Sequence, residues 1–239
     1  MQIPSSTIRT DKKKKTSLSG SFLENTRKNN AKLKEGIPTL IPFFSKNLSK
    51  FVPGVEYGAQ IVITGETGSG KSRTARKMFV KDPIAFANKT GMKVKIILNS
   101  LEESKEKVIS TLVIAYLKNR YGIKATYYQV NNLSQTTGLT DAQMAKIAEA
   151  SAWVDRVYGP YLEIVNEPNS FAFYKIVLRE LMKLGKFYLR TEDADGNVTK
   201  TLVEDPTIKS DNWNHFEYDE PTLVVAISDT VNQYVGYSG

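Results

Sequence analysis

The chain has 239 residues, 41% of them hydrophobic and 24% charged, a composition that supports a folded core and excludes a disordered polymer. It contains no cysteine, which excludes disulfides and thiolate metal sites and fits a reducing compartment. The net charge is +8, and residues 1–35 carry most of it, with nine Lys/Arg against three Asp/Glu. No apolar run approaches the ~20 residues of a membrane-spanning helix, and the first residues lack an apolar signal-peptide core. A soluble, cytoplasmic protein is expected.

Residues 1–20 are polar, with the lysine run Lys12–Lys15, and read as a disordered tail. A basic arm of this kind can neutralise nucleic-acid phosphates, or it can be a solvated leader. Ser21 to Lys34 suits a mostly polar helix anchored by Phe22 and Leu23 and stopped by Gly36 and Pro38. Such a helix has little core of its own and needs another surface, such as a neighbouring subunit. Residues 37–58 suggest a short helix and a turn. Ala59 to Thr64 is apolar and β-branched and predicts a strand. Helical composition follows from Arg73 to Val80. Lys93–Ser100 predicts a buried strand, and Ser104 caps a helix over Lys105–Tyr121. Thr140-Asp141 starts another helix, Tyr161–Val165 is a short strand, and Asn169-Ser170 opens an amphipathic helix closed by Gly185. Residues 187–206 read as a β-hairpin turning at Asp195-Gly196, and Pro206 to Glu220 as irregular chain. Thr222 to Ile227 is a continuous apolar strand ending in Ser228-Asp229. Alternating strands and helices predict an α/β fold with a mostly parallel sheet flanked by helices.

Residues 65–72 read Gly-Glu-Thr-Gly-Ser-Gly-Lys-Ser, a complete G-x-x-x-x-G-K-[ST] phosphate loop between a predicted strand and a predicted helix. Backbone N–H groups of Gly65, Glu66, Thr67, Gly68, Ser69 and Gly70 can point at phosphates, and the three glycines permit positive φ. Lys71 reaches the β- and γ-phosphates, the Ser72 hydroxyl suits Mg²⁺, and Arg73 stands at the helix start. A nucleoside triphosphate with Mg²⁺ is therefore the expected ligand. Hydrolysis also needs a second metal-holding acid and a carboxylate that activates water. Asp229 fits the first role, otherwise a turn residue. Glu102 or Glu103 fits the second, otherwise first-turn acids favoured by the helix dipole. All three spots fall at strand carboxyl ends, where α/β folds bind ligands. His215, the only histidine, reads as a surface residue. The acids at 192–195 read as a solvated hairpin tip, and Trp153 and Trp213 as packing residues.

The run Ile-Thr-Gly-Glu-Thr-Gly-Ser-Gly-Lys-Ser, followed after a strand by Leu-Asn-Ser-Leu-Glu-Glu-Ser, resembles the RecA-like core of DnaB-type replicative DNA helicases, especially those of phages. The Leu139-Thr140-Asp141 helix start and the apolar strand ending at Asp229 extend the resemblance over roughly residues 37–235. It implies an ATP hydrolase that translocates on single-stranded DNA as a homo-oligomeric ring, a hexamer in this family, in the cytoplasm of a bacterial host. It assigns the catalytic carboxylate to Glu102 rather than Glu103, with Lys71 assisting, and a phosphate sensor to Asn232 or Gln233. Other RecA-like ATPases, recombinase or clock-type, and a non-hydrolysing nucleotide-binding assembly module are the alternatives. Residues 1–36 would then be a basic tail and linker helix, and residues 37–239 the ATPase core, with an insertion at about 187–220. Departures are Ser228 before the metal-holding acid and an end ten residues after Asp229. The family's DNA-gripping loops and trans-acting arginine come later, so a fragment with weak activity of its own is expected.

Overall fold

The structure, a computed structural model, describes residues 18–35, 40–43, 48–52, 54–56, 61–66, 68–133, 139–193, 197–208 and 212–229. It opens with helix α1 (Leu18–Lys34). Strands β1 (Leu40–Pro42) and β2 (Gly54–Glu56) pair antiparallel around a 3₁₀ turn at Leu48–Lys50. Helix α2 (Lys71–Arg76) runs through a π-helical turn (Lys77–Lys81) into α3 (Asp82–Thr90). Next come β3 (Lys93–Ser100), α4 (Lys105–Tyr121), α5 (Tyr127–Val130), α6 (Asp141–Val157) and β4 (Leu162–Val165). Helix α7 (Ser170–Met182) then leads to β5 (Gly185–Glu192), β6 (Val198–Val203), β7 (His215–Tyr218) and β8 (Thr222–Asp229).

The chain is α/β. A parallel three-stranded sheet, ordered β4-β3-β8, is flanked by helices. β3 lies in the middle, and its last five residues are all buried, as a strand covered on both faces should be. Val94, Ile96 and Leu98 of β3 pack with Val80, Ile84 and Ala87 of the preceding helices and with Leu223 and Ile227 of β8. A second cluster joins Leu112, Val113 and Leu117 of α4 to Ala150 and Val154 of α6. Helix limits follow their caps. Ser104, Thr140 and Asn169 each accept a backbone N–H of the first turn, and Gly122 ends α4 in the left-handed region at φ 69°.

Three expectations need correction. Residues 61–64, expected to be a strand, form no regular structure, and residues 59 and 60 lie outside the described set. A β-branched run becomes a strand only where a neighbour takes its backbone groups. Among the described residues β8 pairs with β3 alone, and Val62 is 69% exposed. Residues 40–56 hold an antiparallel pair and a 3₁₀ turn, because Leu40–Pro42 finds its partner in Gly54–Glu56. Beside the expected parallel sheet, β6-β5-β7 form a separate antiparallel sheet, in the stretch expected as a β-hairpin insertion. Its third strand, β7, arises in the stretch expected to be irregular, because Phe216 packs on Phe187 with ring centroids 4.6 Å apart. The predicted hairpin is β5–β6, and its turn residues Asp195 and Gly196 lie outside the described set.

A charged network pins α7 to the parallel sheet. Lys95 of β3 donates to Glu163 of β4 at 2.9 Å and contacts Glu180 of α7 at 2.8 Å, and Lys183 also bonds Glu180. Burial acts to raise the Glu180 pKa, but the hydrogen bonds and charges of Lys183 and Lys95 outweigh it and hold the carboxyl below its ordinary value. A depressed carboxylate contributes stability above its unfolded pKa and loses it as pH falls through the folded value. Glu180→Gln should therefore cost about 2 kcal/mol at pH 7. In urea titrations the gap to wild type should narrow as the pH is taken below the ordinary glutamate value of 4.5.

Candidate nucleotide-phosphate site

The glycine-rich loop ends at Gly70, which stands at φ 89° immediately before α2 and has no side-chain cap. Gly68 is also left-handed, at φ 81°. Both positions favour glycine, and they leave the first N–H groups of α2 unblocked toward an incoming anion. Gly65 differs from expectation. It is not among the positive-φ residues, and a Cβ there would stand 2.7 Å from Ser69 Oγ. Lys71 folds back over the loop, donating to the carbonyls of Gly65 at 2.7 Å and Glu66 at 2.9 Å. Thr67 lies outside the described residues. Arg73 is exposed, and Arg73, Lys77 and Lys81 follow one another at four-residue steps. Burial pushes the Lys81 ammonium pKa below its ordinary value, and Lys77, Arg73 and Arg76 push the same way, with Asp82 opposing. This helix is a concentrated positive field beside the loop.

Ser72 Oγ donates to Asp229 Oδ1 at 2.8 Å, across 157 residues of sequence. Asp229 is the last residue of β8 and lies in register with Ser100, the last residue of β3. The Glu102 turn begins there. Ser100 Oγ donates to the Glu103 carbonyl at 2.8 Å. Asn166, directly after β4, donates to the carbonyls of Ser100 and Glu103. Asn99, fully buried, exchanges two 2.8 Å hydrogen bonds with the backbone of Glu167. The turn is therefore fixed by Ser100 of β3 and by Asn166 just past β4.

Its two acids differ. Glu103 turns inward and pairs with Arg76 of α2, with Lys107 at 3.5 Å. Burial raises its pKa, but Arg76 and Lys107 outweigh this and hold the carboxyl below its ordinary value. Glu102 is exposed, and its carboxylate has no hydrogen bond or ion pair among the described residues. The structure thus brings Lys71, Ser72, Asp229 and the Glu102 turn to one end of the parallel sheet. Asn232 and Gln233 lie outside the described residues.

Ser72 and Asp229 supply a hydroxyl and a carboxylate, the hard oxygen donors that suit Mg²⁺. Among the described residues no three His, Cys, Asp or Glu side chains cluster as a metal cage.

Sequence reasoning missed Arg76, Asn99 and Asn166. The strand-end rule that selected Glu102 and Asp229 also selects Asn166, which follows β4 directly. Arg76 had a signal in its four-residue spacing from Ser72. The residues read as packing groups do pack: Trp153 lies 4.9 Å from Tyr116 and Trp213 lies 4.7 Å from Phe187, between ring centroids. His215 is half-buried beside Glu217 at 3.1 Å. A cleft of about 220 Å³ lined by Leu117, Ile123, Val130 and Ile147 lies at the far end of α4 from the Glu102 turn. It is remote from this chemistry. Comparison with family models, curated proteins and solved structures gives no match.

Asn166→Ala removes the donor shared by two strand-end carbonyls. It should cost about 1 kcal/mol in urea denaturation, and amide exchange over residues 101–104 should quicken.

Proposed function

We propose that this chain is a Mg²⁺-dependent ATP-binding and ATP-hydrolysing unit with a RecA-like core, the motor part of a DnaB-type replicative DNA helicase. The observation that carries the reading is the hydrogen bond from Ser72 to Asp229. The two residues meet at hydrogen-bond distance although one stands in the first turn of α2 and the other ends β8, 157 residues on.

On this reading Lys71 exchanges its loop carbonyls for the β- and γ-phosphates, which the loop N–H groups hold from the other side. Ser72 and Asp229 would hold Mg²⁺, which neutralises phosphate charge when bound. Glu102, extended from a turn fixed by Ser100 and Asn166, orients a water toward the γ-phosphate and takes its proton. Glu103 is held by Arg76, which leaves Glu102 as the carboxylate available for that task.

The helicase assignment rests on the resemblance of Ser-Leu-Glu-Glu-Ser and the phosphate loop to the DnaB-type pattern. Helix α1 supports a ring, since it exposes Phe22 and Leu23 at 67% and 52%, surface that a neighbouring subunit would cover. The basic first 35 residues supply charge suited to DNA phosphates.

Binding of a fluorescent ATP analogue with Mg²⁺ should weaken at least about tenfold in Lys71→Ala, and equal affinity would sink the site. Glu102→Gln should keep nucleotide affinity while single-stranded-DNA-stimulated turnover falls about 100-fold. Turnover that is absent in the wild-type ring with DNA present would favour a non-hydrolysing assembly module instead.

A further inference from the structure

The residues assigned so far leave one contact at the site unused. Arg76 sits four residues after Ser72, so the two side chains leave the same face of α2. Ser72 meets Asp229 at the end of β8, and Arg76 meets Glu103 just past the end of the neighbouring β3. One helix face thus addresses two adjacent strand ends.

The Arg76–Glu103 contact is not an ordinary surface ion pair. Its two side chains are 17% and 19% exposed, and it joins elements 27 residues apart. Exposed pairs are worth little because water competes for both charges. Removing one partner of a half-buried pair leaves the other charge poorly solvated, so the geometry is held more firmly. On the Glu103 side the anchoring is double. Its carbonyl accepts from Ser100 and Asn166 while its carboxylate takes Arg76 and, more distantly, Lys107. Glu102 is its immediate neighbour and has no such restraint. A displacement of α2 therefore reaches the Glu102 backbone through a single side-chain link.

We propose that the Arg76–Glu103 ion pair is a positioning contact that carries the state of the phosphate loop to the turn bearing Glu102. The inference rests on the nucleotide reading of Gly65–Ser72. When an anion occupies the loop and draws on the start of α2, Arg76 pulls on Glu103, and the neighbouring Glu102 is set relative to the γ-phosphate. Neither Arg76 nor Glu103 touches the nucleotide in this scheme.

Hydrogen–deuterium exchange with and without ATP and Mg²⁺ tests the link on the full chain, with no need for turnover. In the wild type, nucleotide should slow exchange both over residues 65–76 and over residues 100–104, the latter by about fivefold. In Arg76→Gln and in Glu103→Gln, residues 65–76 should still respond, while the response over 100–104 falls below about twofold. Arg76→Lys keeps the charge and the single N–O contact, and should restore most of it. These variants should retain nucleotide affinity, which a general loss of folding would not allow. An unchanged response over 100–104 in both glutamine variants overturns the proposal. So does a wild type whose loop responds while its turn does not. A wild type that binds no nucleotide, with residues 65–76 silent, fails at the earlier step and removes the nucleotide reading itself.

Discussion

The site is held by the parallel pairing of β3 with β8. Eight successive residues stand in register, from Lys93 with Thr222 to Ser100 with Asp229. Hydrogen bonds along that ladder fix the relative height of the two strand ends to a fraction of a residue repeat. A slip of one residue would turn Asp229 to the opposite face of the sheet and move Leu223 and Ile227 out of the core. Core burial and the position of a candidate metal ligand are thus the same constraint. The Ser72 hydroxyl finds Asp229 in this register of β8 on β3.

Charge is arranged around that end of the sheet with a consistent sign. Helix α2 and the turn after it carry Arg73, Arg76, Lys77 and Lys81, and the opposing strand ends carry Glu103 and Asp229. Of the cations, Arg76 is taken up by Glu103 and Lys77 by Asp82. Among the described residues Lys71 is satisfied by neutral carbonyls alone, a weaker arrangement for an ammonium than an anionic partner. Positive charge facing neutral acceptors at a helix N-terminus is the electrostatic setting in which a phosphate group gains most.

Much of this was legible in the sequence, and the legible parts share a cause. Helices α4, α6 and α7 begin at Ser104, Thr140 and Asn169, where a short polar side chain satisfies an otherwise orphaned N–H. That chemistry is local, so reading it needs no tertiary knowledge. β3 and β8 were legible because each holds an unbroken apolar run, Ile96–Leu98 and Leu223–Ile227. The strand expected at 59–64 was not realised in its described part, because strand formation needs a partner and composition cannot name one. β7 escaped notice for the converse reason. His-Phe-Glu-Tyr is short and polar, and β5 and Phe187 make it a strand. At the candidate site, the Gly65–Ser72 pattern and the strand-end position of Asp229 were readable as motifs. Residue chemistry left Glu102 and Glu103 open and the resemblance alone chose Glu102, because the Arg76 that pairs with Glu103 stands 27 residues away.

The π-helical turn at Lys77–Lys81 has a geometric effect on all of this. In a straight α-helix, residues four apart drift about 40° around the axis at each step. A row such as Ser72, Arg76, Val80 and Ile84 would wind through about 120° and could not keep one orientation. Yet the first two touch strand ends and the last two lie in the core beside β3. The wider winding at 77–81 takes back part of that drift. It acts as a partial phase corrector: one continuous helix presents polar contacts to the strand ends and apolar contacts to the sheet within a narrower arc.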